Sequence, residues 1–135
     1  ISIPELGTVR AERAPVVVLT GNRTREVHDA LKRRCLYQWI EYPDLEQEVA
    51  IVRVRAPEVG DELARQVVAV TQRLRQADLY KLPGVAETVD WARALAALGH
   101  DIATPAVLEE TMGAAVKYQE DLGRAAAVIA GELTA

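Results

Sequence analysis

The sequence predicts two architectures, a short α/β part over residues 1–43 followed by an all-α bundle over residues 44–135. The consecutive aliphatic residues Val16–Leu19 show no polar alternation, which is typical of a strand buried on both faces of a parallel sheet. From Asp44 onward, apolar residues recur every three or four positions, which indicates amphipathic helices. Parallel strands need crossover connections, and only 14 residues precede Pro15. We therefore expect the later part of a larger sheet.

Four elements are predicted in the α/β part. Ile1–Ile3 and Thr8–Ala11 alternate apolar and polar residues around a Pro and Gly turn, which indicates a short hairpin. Val16–Thr20 is the buried strand, and Gly21-Asn22 ends it. A helix follows from a Thr24 cap to Arg33 and Arg34. Cys35–Tyr42 is rich in aromatic and β-branched residues and is predicted as another strand, closed by Pro43.

Five helices are predicted in the second part, each from a cap and an apolar stripe. The first helix is capped by Asp44 and ended by Pro57, and the second is capped by Asp61 and carries a stripe of Leu63, Val67, Val70 and Leu74. The third covers residues 85–98, with Trp91, Leu95 and Leu98 on one face and Gly99 after its end. The fourth runs from Pro105 to about Tyr118, and the fifth lies in the tail with Leu122, Ala125, Ile129 and Leu133 on one face.

The composition argues against several classes of protein. The 135 residues carry a formal net charge of −4 with a pI near 5.2, whereas nucleic-acid and membrane-surface proteins usually carry a basic excess. Cys35 is the only cysteine, so the chain forms no internal disulfide and fits a reducing compartment. No apolar run reaches the length of about 18 residues that spans a bilayer, and the first residues do not resemble a signal peptide. We expect a cytoplasmic protein.

The order of the parts resembles one family. A strand followed by T-G-N, a helix ending in A-L-K-R-R, a strand ending in Y-P-D and a helical segment P-G-V-A-E-T-V-D-W-A-R-A-L are together similar to the C-terminal portion of MoxR-like AAA+ ATPases. The order of these four segments is what makes the resemblance specific, because each segment alone is common in proteins. The resemblance extends from the hairpin to about Tyr118 and implies a C-terminal remnant of a AAA+ (P-loop) core sheet followed by a helical lid.

The resemblance places the sensor 1 amide at Asn22. In AAA+ enzymes this amide helps to orient the water that attacks the γ-phosphate. A carboxamide suits this task because it can donate a hydrogen bond to a phosphate oxygen and accept one from water. The alternative is that Asn22 only caps the turn that follows the strand.

Arg33 and Arg34 match the arginine-finger region of the family. A guanidinium stays charged and offers a planar fork to phosphate oxygens. About ten helical residues at a rise of 1.5 Å would separate the pair from Asn22 by roughly 15 Å, which favours action on two nucleotides in a ring of subunits. Counting from A-L favours Arg34 as the finger, and counting back from Tyr42-Pro43 favours Arg33. The alternative is that both arginines are helix C-terminal cations favoured by the helix dipole, and we expect this of at least one of the pair.

The sensor 2 position departs from the family pattern. Where relatives read G-x-S-P-R, this chain reads G-V-A-E-T, which leaves Thr88 at the arginine position. Arg93 lies five residues on and about 140° around the helix, and it is the candidate substitute for nucleotide contact. The alternative is a solvated Arg93 or an ion pair with Glu87 or Asp90.

Two ATPase motifs are absent from the sequence. No G-x-x-x-x-G-K-[ST] phosphate loop occurs, and no apolar run ends in paired acids that would bind Mg²⁺ and activate water. The resemblance would place both motifs before Ile1. We therefore expect ATP and Mg²⁺ as cofactors of a longer parent, and neither ATPase activity nor a metal site in these 135 residues alone.

The resemblance implies a remodelling or maturation chaperone. In such proteins, ATP hydrolysis at a subunit interface moves the lid and drives work on a client. The implied partners are further copies in a ring, with a hexamer expected, and a von Willebrand factor A domain protein, in some cases during metal-cofactor insertion. Nucleic acid and membrane are not expected partners.

Two other classes of function stay open. One is a non-enzymatic helical interaction module, in which residues 44–135 form the bundle and the front of the chain is a docking arm. The other is a AAA+ relative from DNA replication or transcription, against which the net acidity of the chain weighs.

Overall fold

Residues 2–8, 10–21 and 28–131 are described by a computed structural model of the chain. The chain divides into two units, residues 1–39 and residues 40–135. The predicted division followed Pro43, and the contacts of Tyr42 and Pro43 described below lie within the second unit.

The first unit contains a small antiparallel hairpin. Strand β1 is Ser2–Ile3 and strand β2 is Gly7–Thr8, with Ser2 opposite Thr8. Gly7 has a φ of 75°, a left-handed conformation that glycine adopts at no steric cost, and this closes the turn. The hairpin is therefore present as predicted, with a second strand that starts one residue earlier and is shorter.

Both longer strand predictions are wrong for this structure. Val16–Leu19 has no regular structure, and the exposed fractions of its four residues run from 57% to 95%. Cys35–Tyr42 also forms no strand, and Leu36 is fully exposed. A strand is stable only when neighbouring strands satisfy its backbone groups. In the part of the chain that the structure describes, β1 and β2 pair only with each other, so neither segment has a partner.

The predicted first helix is much shorter than expected. Helix α1 is Asp29–Lys32, and the Nδ1 atom of His28 accepts a hydrogen bond from the Ala30 amide at 3.3 Å. The predicted cap Thr24 and the residues around it, 22–27, lie outside the described residues. A helix of four residues gains little from its own hydrogen bonds, because nucleation of a helix is costly.

The second unit is helical, as predicted. Its elements are α2 Leu45–Arg55, α3 Asp61–Gln76, α4 Val85–Ala97, α5 Pro105–Thr111, a 3₁₀ turn Met112–Ala114 and α6 Gln119–Ala130. Helix α5 was predicted to reach about Tyr118 but tightens into the 3₁₀ turn at Gly113, a residue with low helix propensity. No helix within the described residues is long and apolar enough to cross a membrane.

Polar caps fix where two of these helices begin. The Asp44 carboxylate accepts from the Gln47 amide at 2.8 Å, and the Gln47 side chain accepts from the Asp44 amide at 3.3 Å, which forms a capping box. The Thr104 hydroxyl accepts from the Val107 amide at 3.4 Å, and Pro105 takes the first helical position. Both caps confirm the predicted starts.

Helix α3 lies at the centre of the bundle and packs against α2, α4 and α6. All four members of its predicted stripe, Leu63, Val67, Val70 and Leu74, are buried. On α4, Trp91 and Leu95 are fully buried as predicted, and the indole nitrogen of Trp91 donates to the Thr111 hydroxyl at 2.8 Å. Leu98 was predicted to share their face but is 64% exposed, because the helix has ended at Ala97.

Leu95→Ala is expected to lower the free energy of unfolding by about 2–5 kcal/mol, because it removes buried methyl groups and leaves a cavity. Leu98→Ala is the matched control and is expected to change it by less than about 0.5 kcal/mol. Urea denaturation followed by circular dichroism measures both. Equal losses in the two variants would contradict the packing of α4.

Candidate functional site

A buried polar cluster lies where α2, α3 and α4 meet. Glu48 on α2 is fully buried, and only 6% of the Arg75 side chain on α3 is exposed. The Arg75 Nη1 and Nη2 atoms donate to the two carboxylate oxygens of Glu48 at 2.6 and 2.7 Å. This is a bidentate ion pair, the strongest arrangement that arginine and a carboxylate form.

Thr88 on α4 completes the cluster. Its hydroxyl lies 2.7 Å from a Glu48 oxygen and 3.1 Å from the Gly84 carbonyl, and it accepts from Arg75 Nη2 at 3.2 Å. The Arg75 Nε atom donates to the Pro83 carbonyl at 2.8 Å. The cluster therefore joins three helices and the loop that enters α4.

The chain that leads into α2 is held by the same cluster. The guanidinium carbon of Arg75 lies 4.3 Å from the centre of the Tyr42 ring, within the range of a cation–π contact. The side-chain Nε2 atom of Gln72 lies 3.3 Å from both the Pro43 carbonyl oxygen and a Glu48 carboxylate oxygen. Tyr42 and Pro43 are thus anchored on α3.

Burial of the Glu48 carboxylate is costly, and full pairing offsets that cost. Taking one ion out of water costs several kcal/mol unless its partners replace the lost hydration. Glu48 has such partners in Arg75, Thr88 and Gln72. Among the described residues, no buried side-chain nitrogen or oxygen lacks a hydrogen-bond partner.

This cluster was not predicted from the sequence, although the sequence carries one signal for it. Glu48 lies three residues after Leu45 and four before Val52, and therefore on the apolar side of α2. A carboxylate at such a position predicts a buried cation as its partner. The spacing alone does not say which of the arginines on other helices that partner is.

The two residues predicted to contact nucleotide lie in different environments. Thr88 is fully buried, and its hydroxyl is engaged by Glu48, Arg75 and Gly84. Arg93 is about half exposed. The structure does not bring them together at one group, and contact of either with a nucleotide stays a prediction.

Arg93 is held by α2 and the loop after it rather than by its own helix. Its Nε atom lies 3.1 Å from a Glu58 carboxylate oxygen, and its Nη2 atom donates to the Arg55 carbonyl. The alternative prediction for Arg93 was an ion pair with Glu87 or Asp90. Glu87 instead accepts from the Gly84 amide at 3.0 Å, where α4 begins.

The predicted catalytic residues belong to the first unit. Arg33 and Arg34 follow α1, and both are exposed. Asn22 lies outside the described residues. Its predicted distance from Arg33 and Arg34 therefore stays a prediction. Their roles stay predictions.

Within residues 2–8, 10–21 and 28–131, no three His, Cys, Asp or Glu residues come together as a group that could hold a metal ion.

A comparison of the chain with protein-family models, curated proteins and solved structures finds no match.

Breaking the buried ion pair between Glu48 and Arg75 is expected to lower the free energy of unfolding of the helical unit. Glu48→Gln leaves the Arg75 guanidinium buried without a counter-charge, and such a change typically costs about 3–5 kcal/mol. Urea denaturation measures the loss. The matched control is Glu58→Gln, which breaks the exposed pair with Arg93 and is expected to cost less than about 1 kcal/mol.

The double variant Glu48→Gln with Arg75→Met tests whether the two residues act as a pair. Because it removes both charges, it is expected to lose less stability than the two single variants add up to. Additive losses would show that Glu48 and Arg75 contribute independently and would contradict the ion pair.

An exposed ion pair between α2 and α3 gives a pH dependence. Arg65 donates to both Glu46 oxygens at 2.8 and 3.3 Å. These hydrogen bonds, and then the attraction of the Arg65 charge, lower the pKa of Glu46 below its ordinary 4.5. A pKa that is lower in the folded state stabilises the fold above the unfolded pKa, and this contribution is lost as pH falls through the folded pKa.

Glu46→Gln is therefore expected to destabilise the chain slightly at neutral pH, and the difference from wild type is expected to vanish as pH falls below 4.5. Urea midpoints measured across this range check the sign. Glu109→Gln changes an exposed acid that has no ion pair among the described residues and serves as the control. A difference that grows as pH falls would contradict the lowered pKa.

Proposed function

We propose that the chain is the sensor 1, arginine-finger and lid portion of a cytoplasmic MoxR-like AAA+ ATPase. The observation that carries the proposal is the ordered set of T-G-N, A-L-K-R-R, Y-P-D and P-G-V-A-E-T-V-D-W-A-R-A-L in one short chain. The bundle is in keeping with it, because α2 begins directly after Y-P-D.

The first unit is compatible with the proposal in one respect. Val16–Leu19 and Leu36 expose aliphatic side chains to water, and soluble proteins bury such runs against a partner. In the proposed parent, a parallel sheet contributed by sequence outside these residues supplies the partner strands, and Val16–Leu19 then becomes the strand that the sequence predicts.

The proposed roles of the residues follow from their chemistry. Asn22 orients the attacking water, and Arg33 or Arg34 stabilises the charge that develops on the phosphoryl group of a neighbouring subunit. Arg93 contacts the phosphates, for which its Nη1 atom has no other acceptor among the described residues. Thr88 contributes by holding the lid together.

The proposed parent uses ATP with Mg²⁺ and works as a ring, expected to be a hexamer. Its motion remodels a client protein, and a von Willebrand factor A domain protein is a proposed partner. The 135 residues alone are expected to be inactive as an ATPase, since the phosphate loop and the acidic motif are not among them.

ATPase assays on the parent test the proposal. Arg33→Ala, Arg34→Ala and Asn22→Ala are each expected to lower kcat by about a hundredfold or more where the residue acts on the phosphate. A trans-acting arginine variant is also expected to inhibit wild type when the two are mixed. Arg13→Ala, which changes an exposed arginine outside the predicted site, is the control.

The parent gene provides the simplest refutation. If no phosphate loop is encoded within about 200 residues upstream, the usual span of a domain, the proposal is wrong. It is also wrong if Asn22→Ala, Arg33→Ala and Arg34→Ala all hydrolyse ATP at the rate of wild type.

A non-enzymatic helical interaction module is the second candidate. It is favoured by the closed core of the helical unit, in which no buried side-chain nitrogen or oxygen among the described residues lacks a hydrogen-bond partner. It predicts that residues 40–135 fold alone and bind a protein partner in the absence of nucleotide. Thermal unfolding of that piece without a cooperative transition would contradict it.

A further inference from the structure

The loop between α3 and α4 is fixed by a buried carboxylate. Asp121 on α6 is only 2% exposed, and its two oxygens accept from the backbone amides of Tyr80 and Lys81 at 2.7 and 3.1 Å. A carboxylate that accepts two backbone hydrogen bonds is a strong anchor. It holds the backbone of the loop without using either side chain.

Three further contacts fix the rest of the loop. Leu79 is buried in the core, and Arg124 donates to both the carbonyl and the carboxylate of Asp78. Arg75 holds the Pro83 carbonyl at the other end. The loop is therefore ordered along its length before any ligand arrives.

Tyr80 of this loop and Tyr118, which directly precedes α6, form an aromatic pair at the surface. Tyr80 is 79% exposed and Tyr118 is 39% exposed, and their ring centres lie 5.0 Å apart. Within the described residues, neither phenol hydroxyl makes a hydrogen bond. The fold thus uses the backbone of Tyr80 and leaves its side chain available.

Two lysines that have no ion pair among the described residues flank this aromatic pair in an acidic unit. Residues 40–135 contain 16 Asp and Glu against nine Lys and Arg. Five of those nine cations pair with a carboxylate. Lys81 and Lys117, the sequence neighbours of Tyr80 and Tyr118, do not do so among the described residues. The Lys117 ammonium donates only to the neutral Gly113 carbonyl, at 2.9 Å.

We propose that Tyr80, Lys81, Lys117 and Tyr118 form a docking surface, the tyrosine patch, for an acidic segment of another protein that carries an aliphatic side chain. Tyrosine supplies a large contact area at low entropic cost and is enriched where interfaces gain their affinity. The unpaired lysines attract carboxylates. Because the loop is already ordered, binding does not have to order it. The surface goes beyond the proposed ATPase and does not depend on it.

Titration of the full chain with a synthetic peptide tests the tyrosine patch. The probe is a short acetylated and amidated peptide of Asp and Glu around a central Leu pair, and ¹H–¹⁵N NMR follows the backbone amides. We expect shifts centred on residues 80–82 and 117–119. A peptide with Ser in place of Leu, and one with Asn and Gln in place of the acids, are each expected to bind about tenfold more weakly.

Variants separate the patch from general charge attraction. Tyr80→Ala and Lys81→Glu are each expected to weaken the peptide about tenfold. Arg55→Glu is the control because it makes the same charge change at an exposed cation that, among the described residues, has no ion pair. It is expected to leave the affinity within about twofold.

Three results would overturn the tyrosine patch. The first is an absence of shifts at Tyr80 and Tyr118 up to millimolar peptide. The second is equal weakening by Lys81→Glu and Arg55→Glu, which would show non-specific attraction. The third is tighter binding of single-stranded DNA than of the peptide at the same residues.

Discussion

The ion pair between Glu48 and Arg75 is the constraint on which the helical unit depends. It fixes α2 against α3, brings Thr88 of α4 to the same carboxylate and holds Tyr42 over the guanidinium. A purely apolar contact tolerates sliding, whereas a bidentate pair has one geometry. The cluster therefore sets how the helices meet, and the surrounding aliphatic core supplies most of the hydrophobic stabilisation.

The two units differ in how far they satisfy their own requirements. In the helical unit, backbone hydrogen bonds lie within each helix, and α3 gives the other helices a common surface to cover. In the first unit, Val16–Leu19 needs backbone partners from elsewhere and does not find them among the described residues. In the proposed AAA+ parent, further strands of a sheet would complete the first unit.

The sequence was informative where the determining contacts are local. Asp44 and Thr104 start their helices through hydrogen bonds to amides three residues away, and such short-range rules can be applied to a sequence directly. The strand at Val16–Leu19 was mispredicted because strand formation depends on distant segments. The partnership of Glu48 with Arg75 spans 27 residues of sequence, and periodicity identifies the acid but not its cation. For Asn22, Arg33 and Arg34, chemistry suggests a role that only a bound phosphate would reveal.

Thr88 has a consequence for how related chains can vary. Its hydroxyl fits beside Glu48 and Arg75 with no exposed surface. An arginine at this position would bring a second guanidinium to one carboxylate and leave one of two like charges without a counter-ion. Positions 75 and 88 are therefore expected to change together during divergence, so that a lineage that gains an arginine on α4 also loses the one on α3.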